Sequence, residues 1–294
     1  KTHVATMASC DFVDDEKSLT IEKPTQYRVV YIDESGNETE LKAPAPLIEG
    51  ELLDTSILCF DVLSNFLEEQ IQDAKEKGVL FSIHLKATMM KVSDPILFGE
   101  AVRVYFKDLF AKHGKTFDEI GVDVNNGFAQ LLSKIQALPD DQRKEIEADI
   151  QKVYDTNPPL AMVNSDKGIT NLHVPSDVIV DASMPAMIRS GGQMWGPDGE
   201  LHDTKAVLPD SSYAALYDET IKFCKEHGAF DPTTMGTVPN VGLMAQKAEE
   251  YGSHNTTFQL PGKGKVLLLD EDGNVLTEHA VKKNDIWRMN RVKD

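Results

Sequence analysis

The chain has 294 residues, of which 48 are acidic and 30 are basic, so its formal net charge is −18. This excess of negative charge disfavours nucleic acid and anionic membranes as partners. The sequence shows neither an apolar run long enough to span a membrane nor the pattern of a signal peptide. The spacing of Cys10, Cys59 and Cys224 does not match a zinc site, and we interpret them as buried thiols of a cytoplasmic protein.

The first part of the chain predicts a β-hairpin followed by a helix. Residues 27–33 and 38–42 are rich in strand formers and flank a glycine-containing turn. Residues 55–77 then carry a helical apolar stripe, for which Asp54 is a plausible N-cap and Gly78 a stop.

Residues 81–86 alternate apolar and polar side chains, which predicts a half-buried strand whose polar face ends with Lys86. Ligands of open α/β sheets bind at the carboxyl ends of strands, and an ammonium group that loses hydration there can act as a base near neutral pH. The alternative is a strand-terminal lysine that reaches solvent.

Further along, the pattern predicts a helix over 98–112 and a mostly helical, acidic surface region over 115–160. A short apolar strand over 178–180 would place Asp181 at the carboxyl edge of the sheet, where its carboxylate could bind a hard divalent cation. The alternative is that Asp181 caps the helix predicted over 182–188.

Residues 190–210 are rich in glycine and proline and predict a loop, and residues 211–227 predict a helix. Tyr251 closes a later helical run, where a tyrosine can donate a proton into a cavity or simply cover the edge of the core. His202 and His254 are interpreted as exposed loop histidines.

The chain also contains a possible internal repeat. Residues 270–274 match residues 33–37 in four of five positions, and residues 284–288 run parallel to residues 50–54. The alternative is that such turns recur by chance.

Strands alternating with helices predict an α/β fold of mixed, largely parallel sheets flanked by helices. With the repeat, they indicate two duplicated halves, tentatively residues 1–160 and 161–294, the second one truncated.

Four segments together resemble the monomeric NADP-dependent isocitrate dehydrogenases of bacteria, and the likeness extends from end to end. They are residues 82–95 (SIHLKATMMKVSDP), 181–189 (DASMPAMIR), 193–199 (QMWGPDG) and 248–254 (AEEYGSH). The resemblance implies that this chain is part of the large domain of a longer, monomeric enzyme.

The resemblance further implies oxidation of isocitrate at C2 by hydride transfer to NADP, followed by loss of carbon dioxide to give 2-oxoglutarate. Lys86 matches the family's lysine that assists removal of the C2 hydroxyl proton, and Tyr251 matches the tyrosine that returns a proton to C3. Asp181 matches a ligand of the Mg²⁺ or Mn²⁺ ion, whose other aspartate ligands are expected beyond Asp294.

The resemblance also implies that the remaining substrate-binding and NADP-binding residues lie outside this segment. Residues 261–265 resemble a phosphate loop only in composition, because the spacing of that motif is missing. We therefore expect the segment to fold without turning over isocitrate. The alternatives are a related metal-assisted dehydrogenase of another 2-hydroxy acid, and a non-catalytic binding or scaffolding domain that keeps the same fold.

Overall fold

A computed structural model describes residues 1–86, 92–231, 233–234 and 256–292. The chain divides into two compact units. Unit 1 comprises Lys1–Thr6, Ser64–Ala87 and Asp94–Thr237, and unit 2 comprises Met7–Leu63, Thr88–Ser93 and Val238–Asp294. The division of the longer protein's large domain near residue 160 stays a prediction.

The helices and strands of both units are numbered here in chain order. The helices are α1 (Phe60–Lys77), α2 (Asp94–Tyr105), α3 (Lys107–Glu119), α4 (Phe128–Lys134), α5 (Asp140–Thr156), α6 (Val180–Arg189) and α7 (Ser211–His227). The strands are β1 (His3–Ala5), β2 (Lys17–Thr20), β3 (Thr25–Asp33), β4 (Glu38–Leu47), β5 (Leu52–Leu58), β6 (Leu80–Ile83), β7 (Met162–Asn164), β8 (Ile169–Thr170), β9 (Gln193–Trp195), β10 (Leu201–Val207), β11 (Thr256–Gln259), β12 (Gly264–Asp270), β13 (Val275–Val281) and β14 (Ile286–Val292). No helix in these ranges is both long enough and apolar enough to cross a membrane.

Unit 1 contains a sheet in which β1, β10 and β6 lie side by side in parallel, with β9 antiparallel to β10. A second, two-stranded sheet pairs β7 with β8. Strand β10 falls in the region predicted as a loop, because its flanking Gly-Pro-Asp-Gly turn dominates the sequence pattern there. The helix predicted over 211–227 is confirmed as α7, and Gly228 follows its end with φ +86°.

Strand β6 differs from the half-buried strand that its alternation predicts. All four of its residues are buried, and Ser82 and His84 on the polar face are also inaccessible to solvent. β6 is an inner strand, since β10 pairs with one edge and Leu160 bridges Phe81 on the other, and α6 covers its polar face, where His84 contacts Ser183. The alternation therefore reflects buried polar groups with internal hydrogen bonds instead of a solvent-facing side.

Some of the helix boundaries predicted from the sequence are confirmed and others are wrong. Gly78 ends α1 as predicted, with φ +62° and a bond from its N–H to the Lys75 carbonyl. Asp54 is not the N-cap, because β5 runs to Leu58 and the helix begins at Phe60. The helix predicted over 98–112 is also wrong in its bounds, since the structure has two helices, α2 and α3, separated at Phe106.

Unit 2 consists mainly of two four-stranded antiparallel sheets. One has the order β11, β14, β5, β2 and the other the order β13, β12, β3, β4. Both predicted hairpins are confirmed as β3–β4 and β12–β13. The segments β2–β5 and β11–β14 therefore occupy equivalent places about the centre of each sheet.

The turns of these two segments match in detail. Asp33 accepts a bond from the Asn37 N–H at 2.9 Å, and Asp270 accepts one from the Asn274 N–H at 2.7 Å. Gly50 and Asn284, which precede β5 and β14, both have left-handed backbones, with φ +81° and +70°. The matching backbone supports a repeat within unit 2, but duplication of whole halves is not confirmed.

The predicted fold class needs one correction. The α/β content is confirmed, but the sheets are mostly antiparallel, because every strand pair in the two four-stranded sheets of unit 2 is antiparallel. A sequence pattern places strands along the chain, whereas their direction depends on how distant segments pair.

The cysteines also differ from prediction. Cys10 and Cys59 form a disulfide in unit 2, with their Cα atoms 5.4 Å apart, and Cys224 is free and partly exposed. Cys10 and Cys59 are 49 positions apart in the sequence, which hides their proximity, because β5 returns the chain to the position of Cys10.

Candidate functional site

The site in unit 1 is formed where the end of β6 meets the beginning of α6. Leu85 pairs with Ile179 in a single parallel bridge, and the Val180 N–H donates to the Leu85 carbonyl at 2.7 Å. Lys86 and Asp181 each lie one or two residues past this bridge. Their side chains therefore emerge at the same edge of the parallel sheet, where α/β proteins bind ligands.

Lys86 and Asp181 form a close ion pair. The Lys86 Nζ lies 2.7 Å from each carboxylate oxygen of Asp181. The lysine side chain is 16% exposed and the aspartate side chain 50% exposed, so the pair lies at the surface with its cationic half largely covered. The carboxylate remains accessible to a ligand from solvent.

Asp181 reaches this position from a helix and not from the strand predicted over 178–180. Pro175–Val178 forms a short 3₁₀ turn, Ile179 is the N-cap of α6, and Asp181 lies in the first helical turn. A carboxylate in a first turn is stabilised by the helix dipole. The strand predicted before Asp181 is therefore wrong, and so is its predicted role as N-cap. Its carboxylate in the first turn interacts favourably with the helix dipole, as an N-cap carboxylate would.

A stripe of apolar residues fixes α6 against the core of unit 1. Val180, Met184 and Met187 recur at helical spacing and are buried against Ala206 and Leu208 of the β10 segment. Each fully buried side chain of this kind contributes about 1.5–3 kcal/mol. This packing determines which way the first turn of α6 points.

Two aromatic residues of α7 lie beside the ion pair. The Tyr213 ring centroid is 5.3 Å from the Lys86 Nζ, within the range of a cation–π interaction. Burial, followed by the negative charge of Asp181, raises the pKa of Tyr217. Neither tyrosine could be recognised from the sequence, since both fall within an ordinary amphipathic helical pattern.

Asp94 holds the backbone of Lys86. Its carboxylate Oδ2 accepts the Lys86 N–H at 2.8 Å, and the residue is buried at the beginning of α2. Sequence analysis missed this role, although an aspartate followed by Pro95 is a signal for a helix N-terminus and could have located it.

A buried hydrogen-bond chain joins the same two elements beneath the ion pair. His84 Nε2 lies 2.8 Å from Ser82 Oγ, and His84 Nδ1 lies 2.7 Å from Ser183 Oγ on α6. Ser82 Oγ also lies 3.3 Å from the Lys205 carbonyl oxygen, and Ser183 Oγ lies 3.0 Å from the Ile179 carbonyl oxygen. Burial lowers the pKa of His84 to about 3, so the ring is neutral at pH 7 and links β6 to α6 by one donated and one accepted bond.

Asp181 is the acidic group at this site that could bind a metal. Its oxygens suit Mg²⁺ or Mn²⁺, and its half-exposed position leaves room for water and for other ligands. A hard divalent cation requires several oxygen ligands, so Asp181 fits as one member of a larger set.

A second group of possible ligands, between α3 and α5, is a structural charge network. His113, Glu145 and Asp149 have ligand atoms within 4.8 Å of one another, and no other group of three among the described residues does so. However, the Lys112 ammonium bridges both carboxylates at 2.6 and 2.8 Å, and Lys152 binds Asp149 at 2.6 Å. Hydrogen bonds from Lys112, Lys152 and His113 lower the pKa of Asp149, which keeps it paired without a metal.

The weaker sequence candidates belong to other elements or lie outside the described residues. His202 is exposed and pairs with Asp198 at 2.8 Å in the β9–β10 hairpin. Residues 261–265 cover the end of the β11–β12 connection and the first two residues of β12. Tyr251 and His254 lie outside the described residues.

Comparison with known proteins gives consistent matches over the whole chain. The family model described as monomeric isocitrate dehydrogenase matches residues 1–294. The chain is 58% identical over 294 residues to isocitrate dehydrogenase (NADP) of Azotobacter vinelandii and 55% identical over 294 residues to isocitrate dehydrogenase (NADP) 2 of Colwellia maris. It is 55% identical over 295 residues to isocitrate dehydrogenase (NADP) 2 of Mycobacterium tuberculosis. Each alignment covers 100% of this chain and 40% of the relative.

Proposed function

The chain belongs to the monomeric isocitrate dehydrogenase family, and we propose that it supplies catalytic residues for the NADP-dependent oxidative decarboxylation of isocitrate. Membership confirms the resemblance seen in residues 82–95 and in the three other segments. The chain spans 40% of the length of its curated relatives, so the activity proposed is that of a protein of their length.

The observation that supports this proposal most directly is the Lys86–Asp181 pair. A base for the C2 hydroxyl and a metal ligand for the same oxygen have to lie within a few ångströms of one another. The 2.7 Å separation of the Lys86 Nζ from the Asp181 carboxylate meets that requirement. A non-catalytic scaffolding domain has no need for this convergence.

In the proposed reaction, the C2 hydroxyl proton passes to Lys86 while the C2 hydride passes to NADP. Lys86 can accept this proton only as a neutral amine, so the ammonium paired with Asp181 has to lose a proton first. The C3 carboxylate then leaves as carbon dioxide, and Tyr251 protonates C3 to give 2-oxoglutarate. When bound, Mg²⁺ or Mn²⁺ supplies Lewis-acid stabilisation of the negative charge that develops on oxygen.

We assign no NADP-binding residue to this chain. Asp181 is proposed to provide one ligand for the divalent ion. The proposal keeps the cytoplasmic location and the monomeric state expected from the family resemblance, and isocitrate as the small-molecule substrate.

The proposal is tested by Lys86→Met in the full-length protein, with isocitrate-dependent NADPH formation as the assay. We expect kcat to fall by about 10²- to 10⁴-fold, with a smaller change in KM, because a proton-transfer group acts in the transition state. Lys107→Met is the matched control, since Lys107 is exposed and pairs with Glu68 on the surface of unit 1.

A change confined to KM would reassign Lys86 to substrate binding, and an unchanged kcat would contradict the proposal. Assays with tartrate and malate beside isocitrate distinguish a related 2-hydroxy-acid dehydrogenase.

A further inference from the structure

Unit 1 contains a second concave site, at the end of α6 opposite Asp181. A cavity of about 530 Å³ lies between the carboxyl ends of α6 and α7 and the beginning of β1. Its walls are mainly apolar and include Ile188, Ile221 and Phe230. A volume of this size and a mainly apolar wall are typical of small-molecule binding sites.

The rim of this cavity is preformed by hydrogen bonds. Gly191 and Gly192 have φ angles of +72° and +79°, and their N–H groups donate to the carbonyls of Ile188 and Met187 at the end of α6. The Thr2 hydroxyl donates to the Gly192 carbonyl at 2.6 Å. The Gly191 and Gly192 bonds satisfy two of the last carbonyls of α6, and the Lys225 ammonium donates to the Thr2 carbonyl, which holds it at the rim.

Among the described residues that line the cavity, two are basic and none is acidic. Among the described residues, no carboxylate lies within 4.0 Å of the charged nitrogens of Arg189 or Lys225. Lys222, three residues earlier on α7, instead pairs with Asp218 at 2.5 Å and with Glu219 at 2.9 Å. In a chain with net charge −18, the cavity is therefore a locally cationic, apolar site.

We propose that this cavity binds an amphipathic organic anion. Its apolar body would lie against Ile188, Ile221 and Phe230, and its carboxylate would interact with Arg189 and Lys225. Arg189 is eight residues from Asp181, about 12 Å along the helix axis. The cavity is therefore a second site, separate from the Lys86–Asp181 pair, and binding there does not depend on isocitrate chemistry.

Cys224 provides a direct readout, because its thiol lines the cavity and it is the one cysteine of the three outside the disulfide. In the full-length protein, the alkylation of Cys224 by iodoacetamide would be followed by peptide mass spectrometry, with and without decanoate. We expect saturating decanoate to slow the alkylation at least fivefold. An unchanged rate would overturn the proposal, and so would a Cys224 that resists iodoacetamide without decanoate, because the cavity would then be closed.

Substitutions separate the charge from the shape of the site. Lys225→Gln should weaken decanoate binding about tenfold, as expected for loss of one charge-assisted contact. Lys222→Gln, which removes the same charge from the same helix outside the cavity, should leave binding unchanged. Ala229→Trp, at an exposed position of the lining, should block binding by filling the cavity.

Neutral decanamide tests the role of the carboxylate. We expect it to protect Cys224 at least tenfold less effectively than decanoate at equal concentration. Equal protection by the two compounds, or equal effects of the Lys225 and Lys222 substitutions, would overturn the assignment of an anionic ligand.

Discussion

Unit 1 contains two lysine–aspartate pairs on neighbouring strand segments, and they differ in how completely each charge is satisfied. Lys205 of β10 binds Asp73 at 2.5 Å, with its side chain only 3% exposed. Asp73 also binds Lys77 at 2.8 Å. The Lys86–Asp181 pair is similarly close at 2.7 Å, but its aspartate side chain is 50% exposed, against 34% for that of Asp73.

The surroundings of Lys205 explain why that pair is structural. Gln70 and Asp73, both on α1, lie at hydrogen-bond distance from the Lys205 Nζ, so the ammonium is held by two groups of one helix. Hydrogen bonds from Lys205 and then Lys77 lower the pKa of Asp73 to about 2, and burial lowers the pKa of Lys205. A pair closed in this way fixes a helix to a sheet, whereas an open pair at the end of a strand leaves a carboxylate for a ligand.

The largest expected difference between the two pairs is in the stability lost when the aspartate of each pair is replaced by asparagine. Asp73→Asn leaves the buried Lys205 without its counterion, and we expect a loss of about 3 kcal/mol in the free energy of unfolding. Asp181→Asn keeps a polar side chain of the same size at a half-exposed position and should cost less than about 1 kcal/mol. Chemical denaturation of both variants measures the difference, and a greater loss for Asp181→Asn would reverse the assignment of the structural pair.

The same two variants should also differ in their dependence on metal, and here the larger effect is expected for Asp181→Asn. In the full-length protein, Asp181→Asn removes a proposed ligand, and we expect the Mg²⁺ or Mn²⁺ concentration for half-maximal activity to rise about tenfold or more. Asp73→Asn should leave that concentration unchanged in the folded fraction. Isothermal titration with Mn²⁺ gives a readout independent of turnover, and equal affinity in the wild type and Asp181→Asn would remove Asp181 from the metal site.

The Lys86–Asp181 pair could be located from the sequence better than the Lys205–Asp73 pair. Lys86 follows a short strand with a recognisable pattern, and Asp181 follows an apolar run, so both could be placed at element ends. Lys205 and Asp73 are separated by more than 130 residues and have no local signal. Their contact arises only because β10, in a region that reads as a loop, lies beside β6 in the parallel sheet.

Long-range pairing also limited the prediction of the fold. The two hairpins of unit 2 could be identified from Asp33 and Asp270 and the turn residues that follow them, because turn chemistry is local. The antiparallel contact between β3 and β12 joins segments more than 230 residues apart and could not be derived in this way. The Cys10–Cys59 disulfide was missed for the same reason.

The smallest expected difference between the two pairs is in how the free energy of unfolding depends on pH. Because the pKa of Asp73 in the folded protein is about 2, below the ordinary value of 3.8, its pairing contributes stability above pH 4. That contribution should be lost as the pH falls through about 2. The free energy of unfolding of Asp73→Asn should therefore fall less steeply between pH 4 and pH 2 than that of the wild type.

Asp149, whose pKa is also lowered, adds to the acid dependence of the wild type, so the informative quantity is the difference in slope between variants. Asp166→Asn is the matched control, because it removes one exposed carboxylate for which no cation lies within 4.0 Å among the described residues. Its slope should equal that of the wild type. If Asp73→Asn and Asp166→Asn gave the same slope, the Lys205–Asp73 pair would contribute no proton-linked stability, and its buried geometry alone would distinguish it from the open pair at Lys86.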